Sequence, residues 1–304
     1  MISNHSPHFA IIGAGTAGLA TAILLARQNI QVSILEKASE LEPVGAGLLL
    51  QPSGLAVFEH LGLLDEVLRL GAKVTGLKGQ LPSGNLLVNS HYQQAHPDFY
   101  GVGIHRATLC HVLENKCREY SELITWQMNT DIQKLKETSN QVRVSGTKDG
   151  ESFDQAYPWG AKWTIVPECL ELDTEILHQF HDRSKIMMGI LPTGTVPHEP
   201  KQRLSSVFWS LPSHQLNSFL HNSQAHSDWL NQVSKRWKPA ADWLEQVIAQ
   251  PEQKSQWLTA NYRDVVLSKF GEGRIGVMGD AAHAMSPQLG QGANMALLDA
   301  WALG

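Results

Sequence analysis

This chain is poor in cysteine and in charge. Its 304 residues hold three cysteines, Cys110, Cys117 and Cys169. None has the paired C-x-x-C spacing of a zinc site, and so few thiols exclude a disulfide-built scaffold. Charged residues make up 17% of the chain, the net charge is −5, and no run of Lys or Arg occurs. That pattern argues against nucleic acid as a partner. Fourteen histidines are present, but no helical His pair has an acid nearby, so no metal site is expected. One uncharged run stands out, the 18 residues from Phe9 to Ala26, the minimum length for a membrane span. Glycines at 13, 15 and 18 break it up, and the first eight residues hold no Lys or Arg, so a secretory n-region is lacking. The expectation is a cytoplasmic protein without an integral membrane segment, large enough for two lobes around a substantial core.

What the chain does have is two glycine-rich turns far apart. The first follows the apolar residues Phe9, Ile11 and Ile12. Gly13, Gly15 and Gly18 fit the spacing G-x-G-x-x-G. One glycine permits a tight turn, one lets the backbone approach a pyrophosphate, and one lets helix and strand pack closely. A helix from Leu19 to Arg27 would then aim its free N–H groups and positive dipole end at the phosphates. A second strand, Gln31 to Leu35, ends at Glu36, 18 positions after Gly18. An acid at that distance accepts hydrogen bonds from a ribose diol. This half indicates an adenine dinucleotide and does not separate FAD from NAD.

The second turn selects FAD. Arg274 to Met278 reads as a buried strand closed by Gly279-Asp280, with Asp280 placed for a ribityl hydroxyl. Ala281, Ala282 and Ala284 are small enough for close approach. Pro287 stops any helix there. Gly290 and Gly292 lead into a helix from Ala293 to Leu303, whose first N–H groups would stabilise negative charge on a reduced flavin. His283 reads as a packing or hydrogen-bonding residue rather than a base.

These segments, with Glu36-Lys37, Gly45-Ala46-Gly47, Gln51-Pro52, Arg106 and Gly279 to Asn294, resemble the class A flavoprotein monooxygenases, the family of para-hydroxybenzoate and salicylate hydroxylases. The resemblance implies an α/β fold, a Rossmann-like FAD-binding domain with an interleaved β-sheet substrate domain. It implies cofactor contacts at Gly13, Gly15, Gly18, Glu36, Lys37, Gly47, Arg106, Gly279, Asp280, Pro287, Gly290, Gly292, Ala293 and Asn294, with Pro287 lining the flavin. It also implies that NADH or NADPH reduces the FAD and that one oxygen atom of O₂ passes to an electron-rich aromatic or similar small substrate. No side-chain nucleophile is then needed, but the pocket must exclude water. Leu49, Phe208, Trp209 and Pro287 are candidate walls. A homodimer is compatible with the same resemblance.

The family's Asp-Gly-x-x-Ser-x-x-Arg motif is missing. Asp149-Gly150 reads instead as a hairpin turn after Val142 and Val144. The chain therefore reads as internally shortened, and as truncated after the apolar segment ending at Gly304. Two alternatives stay open: an FAD-dependent dehydrogenase or reductase, and a catalytically impaired FAD-binding relative. The expected FAD domain comprises 1–75, 101–155 and 263–304, and the substrate domain 76–100 and 156–262. Within the first, Leu55, Phe58, Leu61, Leu64, Val67 and Leu68 recur at helical spacing with a break at Gly62. Pro82-Ser83-Gly84-Asn85 reads as a hairpin turn. Expected strands are Trp163 to Val166, Ile186 to Leu191 and Ser206 to Leu211, and 213–260 reads as helical, with Trp229, Trp237, Trp243 and Trp257 as anchors. Cys110 and Cys117 are expected as core thiols on a helix from Ala107 to Tyr120.

Overall fold

A computed structural model of the chain describes residues 7–41, 46–138, 141–145, 153–183, 186–197, 199–219, 223–248, 257–285 and 290–304. It opens with strand β1 (His8–Ile12), helix α1 (Thr16–Arg27) and strand β2 (Gln31–Leu35). β1 and β2 pair in parallel, with His8 opposite Gln31 and Ile12 opposite Leu35. The residues of α1 from Ala17 to Ala26 are all buried, so the uncharged run is a strand, a turn and a core helix. No helix among the described residues is long and apolar enough to cross a membrane. The helix ends at Asn29, whose φ is +62°. The Asn29 N–H donates to the Ala26 carbonyl and the Ile30 N–H to that of Leu25 (2.9 and 3.1 Å), which satisfies carbonyls that a helix end leaves open.

The chain continues through β3 (Gly47–Leu50), α2 (Pro52–His60), α3 (Leu64–Leu70) and β4 (Ala72–Val74). Gly62, with φ +70°, makes the break between the two helices. Five of the six periodic apolar residues turn inward, but Leu68 is exposed. The hairpin β5 (Gly76–Gln80) and β6 (Leu86–His91) follows, turning at Gly84, whose φ is +86°. Then come β7 (Gly101–His105), α4 (Arg106–Glu119) and β8 (Ile124–Gln127). β8 joins β2, and β3, β7 and β4 form a small antiparallel sheet. Cys117 lies in the core of this half, whereas Cys110 is only partly buried.

Strands β9 (Lys134–Glu137) and β10 (Val142–Ser145) pair with each other. Asp149-Gly150 lies outside the described residues. Beyond it runs β11 (Phe153–Pro167), then β12 (Ile176–Asp182), β13 (Ile186–Val196) and β14 (Glu199–Pro212). The three expected strands fall inside β11, β13 and β14, all longer than expected. Helices α5 (Ser223–Ser234) and α6 (Lys238–Ile248) precede β15 (Leu258–Val266). The expected helical stretch therefore stops short, because residues from Leu258 onward pair with β11. The seven-stranded sheet has the order β15-β11-β14-β13-β12-β5-β6. One face buries Phe180, Met188, Val207 and Trp209 against Trp229, Trp237, Trp243 and Leu244. Both β11 and β15 run unbroken across the domain limits expected at 155 and 262.

The two halves meet where β13 crosses the small sheet. A side chain at Gly103 would run into the Pro192 carbonyl, so only glycine allows this approach of backbones. The expected buried strand from Arg274 to Met278 is corrected by the structure. Only β16 (Gly271–Glu272) and β17 (Ile275–Gly276) pair there, and neither is buried. Arg274 instead donates from its backbone N–H and its Nη1 to Glu137 Oε1 at 3.1 Å, which holds the segment beside β9 rather than in the parallel sheet.

Candidate functional site

The first glycine turn is built by its own backbone. Gly13 takes φ +97°, and its N–H donates to the Leu35 carbonyl (2.8 Å). The Ala14 N–H donates to Glu36 Oε2 (2.7 Å), and the Ala38 N–H donates to Glu36 Oε1 (3.0 Å). The Glu36 carboxylate thus binds the turn to the end of β2. Gly15 caps α1 without any side-chain hydrogen bond. The leading N–H groups of the helix are left for another acceptor. A methyl on Gly13 or Gly15 would meet nothing within 4 Å, whereas one on Gly18 would run into the Gly13 carbonyl. The first two are open toward a cavity and the third is a packing glycine.

The second turn lies against the first helix. Gly279 takes φ +60°, and a side chain on it would stand 3.2 Å from the Ala17 Cβ. Thr21 Oγ1 donates to Met278 Sδ (3.3 Å). Asp280 begins a short helix, Asp280–His283. The terminal helix, Gly292–Leu303, starts after Gly290, whose φ is +60°, and it too lacks a side-chain cap. Sequence reasoning missed Asp299 on this helix. Its Oδ2 accepts from the Gly279 N–H (2.8 Å) and lies 2.6 Å from His283 Nε2, so it anchors the Gly-Asp turn. The signal was available: Asp299 is a lone acid in an apolar helical run.

Asn294 is fully buried. Its Oδ1 accepts from the Gln51 N–H (2.8 Å), and its Nδ2 donates to the carbonyls of Leu49 (3.0 Å) and Gly290 (2.9 Å). The amide is fully used in tying β3 to the second turn, so this residue positions the loop. Arg106 begins α4, and its N–H donates to the Ala46 carbonyl (3.0 Å).

One cavity of about 1530 Å³ connects these parts. That exceeds the roughly 300–1,000 Å³ of a typical single-ligand pocket. Of the expected residues, Gly13, Gly15, Gly18, Gly47, Arg106, Gly279, Asp280, Gly290, Gly292 and Ala293 line it. Glu36, Lys37 and Asn294 do not, and Pro287 lies outside the described residues. The floor is the free face of the seven-stranded sheet, where Trp159, Trp163, Phe208 and Tyr262 supply aromatic surface. Leu49 and Phe208 line the cavity as expected, but Trp209 does not. Alternation along β14 turns Trp209 to the other face, where it packs edge-on against Trp229. Burial pushes the phenols of Tyr92 and Tyr262 up to about 12, so both stay protonated. His181, also in the lining, has its pKa lowered by burial and favours the neutral ring. Among the described residues no cluster of His, Cys, Asp and Glu could hold a metal.

The glycine cradle, the two uncapped helix starts and the connected cavity fit a long anionic dinucleotide of the flavin type. The profile of the family described as FAD binding domain matches residues 8–165 and 211–304. The chain belongs to that family. It is 26% identical to 3-hydroxybenzoate 6-hydroxylase of Klebsiella oxytoca, over 97% of this chain and 78% of that protein. It is 25% identical to 3-amino-4-hydroxybenzoate 2-monooxygenase of Streptomyces cremeus, over 95% and 76%. Its fold matches PqsL of Pseudomonas aeruginosa in complex with 2-aminobenzoylacetate, with a TM-score of 0.80, 20% identity, and 97% and 85% coverage. The protein is an FAD-dependent monooxygenase of α/β fold, with FAD as cofactor and NAD(P)H as co-substrate.

Proposed function

We propose that this chain hydroxylates a small, electron-rich aromatic molecule. The single observation carrying this reading is the continuity of the cavity from the glycine cradle to an aromatic sheet face. FAD, once bound, supplies the electron transfer and oxygen chemistry. The protein's own residues bind, orient and keep water out.

In this reading Gly13 and Gly15 admit the pyrophosphate to the start of α1, while Gly18 holds that helix against the turn. Glu36 takes the adenosine ribose on a carboxylate already oriented by the Ala14 and Ala38 N–H groups, and exposed Lys37 lies at the rim. Gly47 and Arg106 flank the middle of the cofactor. Asp280 takes a ribityl hydroxyl. Gly290, Gly292 and Ala293 present backbone N–H groups to the flavin, and Asn294 holds their loop in place. Pro287 lines the flavin in the same reading. The cofactor lobe is 1–75, 101–155 and 263–304, and the substrate lobe is 76–100 and 156–262. Trp163 and Phe208 offer ring faces for substrate stacking, and the protonated Tyr92 offers an O–H donor.

The relatives support oxygen insertion over a dehydrogenase or an inactive relative, since these two are named as a hydroxylase and a monooxygenase. The test is NAD(P)H oxidation with and without phenolic acids under isotopically labelled O₂. Stimulation, with label in the product, is expected. Turnover with an artificial acceptor under anaerobic conditions and no label would establish the dehydrogenase instead. The reading includes a cytoplasmic location, supported by three free thiols and no disulfide among the described residues. It also includes a homodimer, for which the exposed Leu86 and Leu87 on edge strand β6 offer a surface. Sedimentation tests the second point.

A further inference from the structure

β12 crosses the floor of the cavity and sorts its side chains by alternation. Leu177, Gln179, His181 and the next residue of that set, Arg183, line the cavity. The intervening residues point to the opposite face. There Phe180 packs against Trp237 with ring centroids 5.5 Å apart, and Asp182 Oδ2 accepts from Arg236 Nε (2.8 Å).

Leu177 marks the flavin end. It clusters with Leu49, Leu77 and Phe208, and the Leu49 carbonyl is bound by Asn294, which also binds Gly290. Arg183 marks the other end. From Leu177 to the end of β12 at Asp182 is five strand steps, roughly 17 Å at about 3.3 Å per residue, and Arg183 follows in the turn. A single aromatic ring covers less than half of that length. Between the ends Gln179 and His181 line one side and apolar residues the other. The Phe208 ring lies over Gly189, where a side chain would intrude, and Val88, Ile186 and Met187 line the walls beyond. Gln179 and His181 approach each other, with His181 Nε2 3.3 Å from Gln179 Oε1, so each satisfies part of the other's hydrogen bonding.

Arg183 is the cation of the cavity lining that lies beyond β12, as Arg106 is the one at the start of α4. It is exposed at the end of β12 and has no hydrogen bond or ion pair among the described residues. It also takes φ +55°. That conformation is uncommon for a residue other than glycine, and such outliers concentrate at ligand sites. Its guanidinium is suited to a carboxylate held through two hydrogen bonds.

We propose that the substrate is elongated, a ring at the Leu177–Phe208 end carrying an apolar chain that ends in a carboxylate at Arg183. The inference rests on the reading of this cavity as the substrate site. It makes Arg183 a specificity residue, beyond roughly 17 Å of strand from the ring end.

The test uses the FAD-loaded protein and a series of ω-(hydroxyphenyl)alkanoic acids lengthened one methylene at a time. Binding is read from perturbation of the flavin absorbance, and NAD(P)H oxidation is followed separately. Affinity is expected to rise about fourfold per methylene until the carboxylate reaches Arg183. Arg183→Gln should weaken the optimal long acid at least about tenfold, and leave the short acids and the long methyl ester unchanged. Arg183→Lys should restore part of the loss. Affinity that is flat or falls with length overturns the inference, as does equal weakening of acid and ester. Comparing acid with ester on the unaltered protein decides the point even if a variant fails to fold. Length-dependent binding without stimulated oxidation would uphold this inference and sink the hydroxylase reading. Stimulation by short acids alone would do the reverse.

Discussion

Replacing Gly15 and Gly18 separately by alanine should produce opposite defects. At Gly18 a new Cβ enters the Gly13 carbonyl and stands 3.2 Å from Ile11 Cγ2. The carbonyl belongs to a turn pinned by Leu35 and Glu36, so α1 itself must shift. Overpacking costs about 1–3 kcal/mol, and a rigid backbone obstacle belongs at the upper end. Better helix propensity returns up to about 1 kcal/mol. The net loss is about 2 kcal/mol, a drop of roughly 3 °C in the melting temperature of a chain this long. At Gly15 the backbone is ordinary extended chain, φ −78° and ψ −177°, and the Cβ meets nothing within 4 Å. Losing glycine at a helix cap costs less than about 1 kcal/mol, so the fold is nearly untouched. The methyl group instead occupies the space assigned to the pyrophosphate. FAD affinity should fall at least about tenfold, or 1.4 kcal/mol. Melting of the flavin-free proteins and titration with FAD separate the two effects. If Gly15→Ala binds FAD normally, or melts as early as Gly18→Ala, the division into a ligand-facing glycine and a packing glycine is wrong.

Asp299→Ala removes the acceptor for both the Gly279 N–H and His283. It should cost about 1–3 kcal/mol and speed FAD release, while Asp299→Asn should lose less. Unchanged release in the alanine variant would count against an anchoring role. Gly189→Ala pushes the Phe208 ring off the cavity floor. It should raise the Kd of a ring ligand several-fold with FAD affinity unchanged, and an unaffected Kd would show that Phe208 does not contact the ligand. Acid stability follows from His178 and His181, whose pKa values burial holds below the ordinary 6.5. Below 6.5 the unfolded chain binds more protons than the folded one. Stability is therefore full above that pH and falls as pH drops toward the folded values. His178→Phe should flatten part of this acid-side slope in denaturant titrations, and an unchanged slope would remove His178 from the account.

The parts of the fold legible in the sequence were those governed by local rules. The strand Gln31–Leu35 emerged with its observed limits because Asn29 and Glu36 bracket a short β-branched run. The turn at Gly84 and the break at Gly62 were legible because positive φ favours glycine. The failures were tertiary. Residues 274–278 have the apolar content of a buried strand, yet Glu137, distant in sequence, captures Arg274 and holds the segment elsewhere. Leu258 onward reads as helix by continuity, but its partner is β11. Phe208 and Trp209 are adjacent in sequence, and nothing local tells which face of β14 looks onto the cavity. The glycines of the candidate site were readable because they must be glycine. Asp299 was readable only as a lone acid in an apolar run, and Arg183 not at all, since the partners and the cavity that give them meaning are brought near only by folding.

In the proposed reading one FAD molecule spans both glycine turns. The measurement that tests it most directly is the flavin content of the purified protein by visible spectrum, compared with variants altered at either end alone, Gly15→Ala and Gly279→Ala. One bound flavin per chain is expected, bleached by NAD(P)H and lost from both variants. A colourless protein that cannot be reconstituted, or a flavin whose binding ignores one of the two turns, would contradict it.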